Sequence, residues 1–199
     1  MYEAFGKRVM DILASAVALL ILSPVLLIVA LLVAVQFGRP VLFRQKRAGL
    51  CGRPFDVVKF RTMTAAVGPD GLLRSDAERL TPFGKALRAT SLDELPGLWN
   101  VLRGEMSLVG PRPLIYDYIT LYSPEQARRH EVRPGITGWA QVNGRNAINW
   151  EAKFALDVWY VDNRGFWLDM KILLLTVQRI VLRHGINAEG SASAERFRG

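Results

Sequence analysis

A long apolar segment without any charged side chain lies near the start of the chain. From Ile12 to Phe37 the sequence reads ILASAVALLILSPVLLIVALLVAVQF. A helix over this segment is about 39 Å long at about 1.5 Å per residue, which exceeds the hydrocarbon core of roughly 30 Å. We therefore predict a membrane helix. A cleavable signal peptide is disfavoured, because the apolar run is too long and no small-residue cleavage motif precedes a polar region.

Two features of this segment leave its topology open. Ser23-Pro24 lies at its middle, where proline kinks a helix and the serine hydroxyl can satisfy a freed carbonyl. Basic residues, which tend to stay cytoplasmic, flank both ends: Lys7, Arg8, Arg39, Arg44, Lys46 and Arg47. The pattern is compatible with a kinked span and with a re-entrant helix that bends at Ser23-Pro24 and returns.

After the membrane segment, the pattern predicts a hairpin and then a loop. The stretches VLFRQKR (41–47) and PFDVVKF (54–60) flank a glycine-containing turn and are typical of two short strands. Residues 68–80 are polar and contain Gly-Pro-Asp-Gly, which favours a loop. Thr81-Pro82 predicts the start of a helix, with a cap followed by proline in the first turn.

The rest of the chain is predicted to be mainly helical. Leu95, Leu98, Trp99 and Leu102 fall at helical spacing, and Gly104 follows them as a helix end. Residues 135–145 are rich in turn formers and contain one brief strand at most. Three more helices are predicted: one opened by a capping box at 123–126, one from Asn149 to about Asp162, and one from Phe166 to His184 that ends at Gly185.

The last two helices carry aromatic residues beside basic ones. The aromatic residues are Trp150, Phe154, Trp159, Tyr160, Phe166 and Trp167, and the basic ones are Lys153, Arg164 and Lys171. This mixture suits the headgroup layer of a bilayer, while Asp169, Lys171 and Arg179 disfavour a span. An ordinary core face is the alternative.

These elements predict an α+β fold that is mostly helical and has interfacial amphipathic helices. We expect three parts: a membrane helix at 1–38, a domain at 39–187 docked on one face of the bilayer, and a tail at 188–199. The tail is small and polar, and it is predicted to be flexible.

Composition narrows the classes of partner. Of the 199 residues, 26 are Lys or Arg and 18 are Asp or Glu, which gives a net charge of +8. This balance suits anionic lipid, nucleic acid or phosphorylated small molecules, and nucleic acid is disfavoured because a membrane segment opens the chain. The single cysteine, Cys51, excludes an internal disulfide and disfavours a cysteine-rich metal site.

The adjacent carboxylates Asp93 and Glu94 in TSLDELPGLWN have two interpretations. In the first they cap a helix, with either Ser91 or Asp93 as the cap. Pro96 fits the second of these caps better, because a cap at Ser91 places the proline inside the helix. In the other interpretation the pair performs chemistry: one carboxylate attacks phosphorus while its neighbour holds a magnesium ion.

Chemistry of this kind needs cations, because a carboxylate that approaches a diphosphate is repelled. Arg112 lies between two prolines in GPRP, which restricts the backbone around a guanidinium group able to bind phosphate. Each arginine taken alone is more often a solvated surface residue. The combination favours an anionic substrate, and the further candidates are Arg88, Lys59 and Arg61 in KFRTM, and Arg145 in NGR.

Other chemistries lack their motifs in this sequence. There is no Gly-x-Gly-x-x-Gly, no P-loop Lys-Ser/Thr and no Gly-x-Ser-x-Gly elbow. His130 and His184 are the only two histidines and lie far apart, which disfavours a histidine-rich zinc site.

Taken together, these stretches resemble the bacterial sugar transferase family, the monotopic polyprenyl-phosphate phosphoglycosyl transferases, in a minimal catalytic form. The resemblance covers nearly the whole chain. It is carried by KRVMDILASAVALLILSP, VLFRQKRAG, FDVVKFRTM, TSLDELPGLWNVLRGEMSLVGPRP, RPGITGWAQVNGR, WYVDN and DMKILLLTV. One departure is Thr62, where the family often has serine, and the hydroxyl is kept.

The resemblance implies a location and a reaction. The membrane segment is expected to be re-entrant, with both ends cytoplasmic, so that the protein is monotopic on the cytoplasmic face of the bacterial inner membrane. The expected reaction transfers sugar-1-phosphate from a UDP-sugar to undecaprenyl phosphate with release of UMP, as the first membrane step of glycoconjugate or polysaccharide synthesis. Small relatives often use N-acetylated UDP-sugars. A non-enzymatic membrane-docked module that binds anionic lipid or a partner protein is the alternative.

The resemblance also assigns roles to residues. Asp93 is expected to be the nucleophile that carries a covalent phosphosugar, and Glu94 is expected to hold or assist Mg²⁺. The expected phosphate and nucleotide site consists of Arg88, Arg112, Pro111, Pro113, Lys59, Arg61, Arg145 and Asp157. For Asp157, on the helix after NGRN, an exposed helix charge is the alternative.

Overall fold

The computed structural model describes residues 2–144 and 148–182, together with Phe197 and Gly199. The expectations for Arg145, His184, Gly185 and most of the tail at 188–199 lie outside these residues. Within them the fold is mostly helical with two small sheets, which confirms the predicted class. The elements are α1 Lys7–Phe37, β1 Leu42–Ala48, β2 Pro54–Phe60, α2 Asp76–Arg79, α3 Pro82–Ala89, α4 Gly97–Arg103, β3 Ser107–Val109, α5 Pro124–Ala127, β4 Gly135–Thr137, α6 Trp139–Asn143, α7 Trp150–Asn163 and α8 Phe166–Leu182.

The apolar segment forms α1, an unbroken helix that contains Pro24. The Ser23 hydroxyl donates to the Leu20 carbonyl oxygen at 2.8 Å. Because Pro24 has no N–H to donate to that carbonyl, the serine supplies the missing hydrogen bond, as the sequence predicts. Among the described helices, α1 is the one that is long and apolar enough to cross a membrane, judged by length and composition.

Hydrogen bonds dock the first turns of α1 onto the rest of the chain. Asp11 is buried and accepts a hydrogen bond from the Ser107 hydroxyl at 3.1 Å. The two terminal nitrogens of Arg8 donate to the carbonyls of Val101 and Leu102 at 2.6 and 2.7 Å. These carbonyls lie in the last turn of α4, where the regular helical hydrogen bonds run out. The start of α1 is therefore part of the folded domain.

A second buried carboxylate, Asp169 in α8, strengthens this attachment. Its Oδ2 accepts hydrogen bonds from Lys7 Nζ and from the Tyr2 hydroxyl, both at 2.6 Å. Its Oδ1 accepts a hydrogen bond from the Tyr160 hydroxyl in α7 at 2.7 Å. The Asp169 side chain is fully buried. The contacts from Tyr2 and Lys7 attach the start of α1 and the residues before it to α8, and the contact from Tyr160 joins α8 to α7.

The second half of α1 packs on the same domain by apolar contact. Val29 and Val33 are buried and form a cluster with Phe60 of β2 and Leu87 of α3. Both halves of the helix, on either side of Pro24, therefore contact one folded body. Much of the surface between these contacts is apolar and exposed, with Leu20 at 77% and Leu27 at 72%.

The predicted hairpin is confirmed and separates two faces. β1 and β2 are antiparallel, with Arg44 opposite Val58 and Lys46 opposite Asp56. Because side chains alternate along a strand, Lys59 lies on the opposite face of the hairpin from Val58. That opposite face leads to the candidate active site.

The second sheet contains a strand that the sequence did not predict. β4 is the brief strand expected within 135–145, and it pairs in parallel with β3. The backbones approach closely here: a Cβ added to Gly135 would lie 2.1 Å from the Gly110 nitrogen. Glycine is therefore required at this position, and β3 brings the GPRP segment beside the end of β4.

Most predicted helix starts are confirmed by their caps. Thr81 Oγ1 accepts from the Gly84 N–H at 3.1 Å, and Asn149 Oδ1 accepts from the Ala152 N–H at 2.8 Å. The capping box at 123–126 is present at the start of α5. The predicted loop at 68–80 is partly wrong, because its last residues form α2.

The aromatic residues of α7 and α8 divide between core and surface. Phe154 and Tyr160 are buried, whereas Trp167 is 81% exposed; the neighbouring aliphatic Leu174 is 72% exposed. The alternative of an ordinary core face thus holds for the buried aromatic residues. For the exposed part, contact with the headgroup layer stays a prediction.

We expect Asp169→Asn to destabilise the protein, because it leaves Lys7 without its buried partner. Breaking a buried ion pair of this kind costs about 3–5 kcal/mol, which thermal denaturation in detergent micelles will detect as a lower melting temperature. Asp117→Asn, at an exposed aspartate, is the control and is expected to change stability by no more than about 0.5 kcal/mol. Equal melting temperatures for the two variants would show that the contact does not stabilise α1.

Candidate active site

The Asp93–Glu94 pair lies in a short 3₁₀ turn, Leu92–Glu94, that precedes α4. Ser91 adopts a left-handed backbone conformation with φ of 57° and makes no capping hydrogen bond with its side chain. Because α4 begins at Gly97, directly after Pro96, neither Ser91 nor Asp93 caps it. The capping interpretation is therefore wrong, and Pro96 opens the helix where its missing N–H costs little.

Glu94 binds two cations that come from distant parts of the chain. Lys59 Nζ in β2 lies 2.6 Å from Glu94 Oε1, and Arg112 Nη2 lies 2.7 Å from the same oxygen. Burial alone would raise the pKa of the Glu94 carboxyl, but the charges and hydrogen bonds of Arg112 and Lys59 bring this pKa well below its usual range. Glu94 is therefore an anion at any physiological pH.

Asp93 is buried, with 8% of its surface exposed, and its environment differs from that of Glu94. Burial and the neighbouring Glu94 charge raise the pKa of the Asp93 carboxyl to about 6, against the opposing effect of Lys59, Arg88 and Arg112. A carboxylate with this pKa is largely ionised at neutral pH and poorly solvated. Both properties suit a nucleophile.

Arg61, directly after β2, and Arg88, in α3, lie in different surroundings. Arg88, on α3, donates from Nε to the Thr62 hydroxyl at 3.1 Å, and its charge acts on Asp93. Arg61 donates instead to the Pro40 carbonyl at 3.2 Å and lies over the Phe37 ring at the end of α1. The charge of Arg88 thus acts on the carboxylates, while the described contacts of Arg61 are with the end of α1 and the residues that follow it.

The prolines of GPRP hold Arg112 between the two sheets. The Pro111 carbonyl accepts from the Gly135 N–H at 2.9 Å. Pro113 lines a small pocket of about 30 Å³ with Lys59, Glu94 and Arg112. This volume holds a water molecule but no sugar.

Asp157 does not contact the carboxylates, because a buried arginine binds it. Arg129 Nη2 lies 2.7 Å from Asp157 Oδ2, and both side chains are at least 94% buried. The same Nη2 donates to the Arg112 carbonyl at 2.7 Å. Burial raises the pKa of the Asp157 carboxyl and the Arg129 charge opposes this rise. Asp157 and Arg129 therefore support the backbone that carries Arg112, and the alternative of an exposed helix charge is wrong.

Arg47 and Arg129 also belong to this region, although neither was expected here from the sequence. Arg47 lines the small pocket, and burial together with the nearby Arg112 charge lowers its pKa to about 10. Strand alternation could have indicated it, since Arg47 pairs with Phe55 and lies on the same face as Lys59. Arg129 had no local signal, because its role depends on residues 17 and 28 positions away.

The donor set at this site fits Mg²⁺. This ion takes one or two carboxylates together with substrate phosphates, and it keeps several waters. Both cations bound to Glu94 contact Oε1, so neither engages Oε2. Within the described part of the chain, no three His, Cys, Asp or Glu residues form a metal-binding group.

We expect Asp157→Asn to cost about 3–5 kcal/mol of unfolding free energy, because it leaves Arg129 as a buried charge without its partner. Urea denaturation of the purified protein will measure the loss. Asp162→Asn in the same helix removes an exposed ion pair with Arg128 and is expected to cost at most about 1 kcal/mol. Similar denaturation midpoints for both variants would contradict the supporting role.

Comparison of the sequence with known proteins places the chain among sugar transferases. A family model described as bacterial sugar transferase matches residues 2–183.

Individual relatives agree with the family match. An uncharacterized sugar transferase of Bacillus subtilis, EpsL, is 54% identical over 193 residues, which are 97% of this chain and 96% of the relative. The UDP-glucose:undecaprenyl-phosphate glucose-1-phosphate transferase of Caulobacter vibrioides is 43% identical, over 88% of this chain and 69% of the relative. The UDP-N-acetylgalactosamine-undecaprenyl-phosphate N-acetylgalactosaminephosphotransferase of Aeromonas hydrophila is 39% identical, over 92% of this chain and 45% of the relative. The chain belongs to the bacterial sugar transferase family.

Proposed function

We propose that the protein transfers sugar-1-phosphate from a UDP-sugar to undecaprenyl phosphate, giving undecaprenyl-diphosphate-sugar and UMP. The names of the relatives from Caulobacter and Aeromonas describe reactions of this type. The observation that carries the proposal is the position of Asp93, which is buried beside Glu94 and within the field of Lys59, Arg88 and Arg112.

In the proposed first step, an Asp93 carboxylate oxygen attacks the sugar-linked phosphorus of the UDP-sugar. The bond from this phosphorus to the oxygen that bridges the diphosphate breaks, and that oxygen leaves with UMP. Arg112 and Lys59 are placed to stabilise the charge on the phosphate oxygens, because both reach the adjacent Glu94. The product of this step is an aspartyl ester of the phosphosugar on Asp93.

In the second step, an oxygen of undecaprenyl phosphate attacks the same phosphorus. The bond between Asp93 and phosphorus breaks, so that the carboxylate is regenerated and the diphosphate-linked lipid sugar leaves. One phosphate site thus serves a water-soluble donor and a membrane acceptor in turn. The net positive charge of the chain, +8, favours the approach of both anionic substrates.

Mg²⁺ is part of this proposal, with Glu94 as the ligand and Asp93 as its neighbour. When bound, the ion would neutralise phosphate charge and act as a Lewis acid. Glu94 is suited to this role because its low pKa keeps it ionised. Removal of Mg²⁺ with EDTA, followed by an assay of UMP release, checks the requirement.

We also propose that α1 re-enters the cytoplasmic leaflet and does not span the bilayer. Lys7 and Asp11 at its start and Val29 and Val33 in its second half contact the same domain. A straight span would place the two ends on opposite sides of the membrane, where one domain cannot reach both. The basic residues beyond each end favour the cytoplasmic side for both.

Asp93→Asn tests the nucleophile. We expect turnover, measured as UMP release with undecaprenyl phosphate present, to fall by at least about 10⁴-fold, as for loss of a nucleophile in other covalent enzymes. Intact-mass spectrometry of the wild-type protein with a panel of UDP-sugars and no acceptor is expected to show a phosphosugar adduct, and the panel identifies the sugar. An adduct on Asp93→Asn would refute the assignment.

Cysteine labelling tests the topology. In a Cys51→Ser background, Glu3→Cys and Lys46→Cys are each expected to react with a membrane-impermeant thiol reagent from the cytoplasmic side of inverted vesicles. Leu20→Cys, in the exposed apolar part of α1, is expected to resist the reagent and serves as the control. Labelling of the first two from opposite sides would establish a span.

The alternative considered from the sequence, a non-enzymatic membrane-docked module, is disfavoured because the chain belongs to a family of transferases, and the same experiments separate the two. A module of that kind predicts that Asp93→Asn leaves lipid or partner binding intact and that the wild-type protein releases no UMP. The three cations around Asp93 favour the enzyme, because a lipid-binding surface gains nothing from a buried carboxylate at its centre.

A further inference from the structure

A cleft of about 640 Å³ lies on the face of the hairpin that points away from Lys59. Arg44 and Val58 line it and are paired across the strands, so they share this face. The pocket beside Glu94, on the opposite face, measures about 30 Å³. Because ligand-binding clefts usually measure about 300–1,000 Å³, the larger cleft is a second concave surface of a size that suits a ligand.

The lining of this cleft carries an excess of positive charge. Glu105 is already engaged, with Oε1 at 3.4 Å from Arg103 Nε and Oε2 at 2.7 Å from Asn100 Nδ2. Asp56 lies directly across the hairpin from Lys46. The basic side chains are Arg44, Arg53, Arg103 and Arg133, and the acidic ones are Asp56 and Glu105.

Three of these arginines have guanidinium groups available to an anion. Among residues 2–144 and 148–182, no carboxylate lies within ion-pair distance of Arg44, Arg53 or Arg133. Arg133 is held by a hydrogen bond of 2.9 Å from Nε to the Gly104 carbonyl, which leaves its two terminal nitrogens for other partners. Guanidinium groups bind phosphate oxygens with two parallel hydrogen bonds, so the cleft suits a phosphate group.

The position of the cleft indicates where that phosphate comes from. Arg8 donates to the last carbonyls of α4, beside the cleft residues Arg103 and Gly104. Arg8 also lies only four positions before Ile12, where the apolar segment of α1 begins. If α1 enters lipid at this point, the rim of the cleft lies at the depth of the lipid headgroups.

The exposed indole of Trp99 supports a position of the cleft at headgroup depth. Trp99 follows Leu98 in α4, lines the cleft and is 55% exposed. An indole beside arginines is typical of the interface between water and lipid. The cytoplasmic leaflet carries anionic lipids that attract basic residues near its surface.

We propose that this cleft binds the phosphate of an anionic phospholipid headgroup. The inference rests on the membrane placement of α1 in the proposed function. It gives the domain a second attachment to the bilayer, separate from α1. Asn100 connects this attachment to the candidate site, because its side chain bonds the Val58 N–H at 3.0 Å and the Asp56 carbonyl at 2.8 Å in the strand that carries Lys59.

The chain contains a natural reporter position for a test. Cys51 is its only cysteine and is exposed. It lies in the turn Leu50–Gly52, and Leu50 lines the cleft. The full-length protein, labelled at Cys51 with an environment-sensitive fluorophore in neutral detergent micelles, can be titrated in parallel with phosphatidylglycerol, phosphatidylcholine and inorganic phosphate.

We expect a saturable change in emission with phosphatidylglycerol and none with phosphatidylcholine. Arg53→Gln and Arg44→Gln are each expected to raise the half-saturating amount of phosphatidylglycerol about fivefold. Arg74→Gln removes the same charge at an exposed position outside the cleft and is expected to leave it unchanged. Asp93→Asn is expected to bind phosphatidylglycerol normally, so a failure of the proposed catalytic function does not affect this result.

Three results would overturn the proposal. An equal response to phosphatidylcholine would show insertion of the label into lipid, without recognition of charge. Saturation by inorganic phosphate at the same concentration as phosphatidylglycerol would show a site for soluble anions. An equal loss in Arg74→Gln and Arg53→Gln would show that overall charge, and not this cleft, attracts the lipid.

Discussion

The Glu94 carboxylate holds three separate segments at one point. Lys59 of β2 and Arg112 of the GPRP segment both bind its Oε1, from 35 and 18 positions away along the chain. These bonds fix the hairpin, the 3₁₀ turn and the proline-flanked arginine relative to one another. Because a partly buried charge is costly without its partners, the positions of all three segments depend on this interaction, and so does the field around Asp93.

The two adjacent carboxylates differ because their partners differ. Glu94 receives direct bonds from two cations and its pKa falls, whereas Asp93 is buried beside a negative neighbour and its pKa rises to about 6. Glu94 thereby stays ionised and positions the two cations, whereas Asp93 is a carboxylate that is poorly solvated before it reacts. Pairs of acids whose surroundings separate their pKa values are typical of divided roles in a catalytic site.

Local signals in the sequence predicted local structure well. The caps at Thr81 and Asn149, the hairpin and the Ser23 bond to Leu20 each depend on residues within a few positions, and each is present. One error involves a distant partner: β3 was missed because three residues pair in parallel with a strand far along the chain. Another error is local, because the backbone at Ser91 is left-handed and its side chain makes no capping hydrogen bond.

In the candidate site, too, the residue types could be predicted from the sequence, whereas contacts between distant residues could not. The sequence predicted Asp93, Glu94, Lys59, Arg88 and Arg112 as a group from their residue types, and the structure brings them together. Asp157 was expected among them, but whether an acid faces a substrate or a buried arginine depends on packing that no spacing encodes. The described contacts place Asp157 against Arg129, one bond away from the Arg112 carbonyl.

The bond between Lys7 and Asp169 has a consequence for biosynthesis. The two residues are 162 positions apart, so the ribosome makes all of α1 long before it makes the carboxylate that binds its first turn. Until Asp169 has been synthesised, Lys7 has no partner in α8. The attachment between the start of α1 and the last helix can therefore form only late in synthesis of the chain.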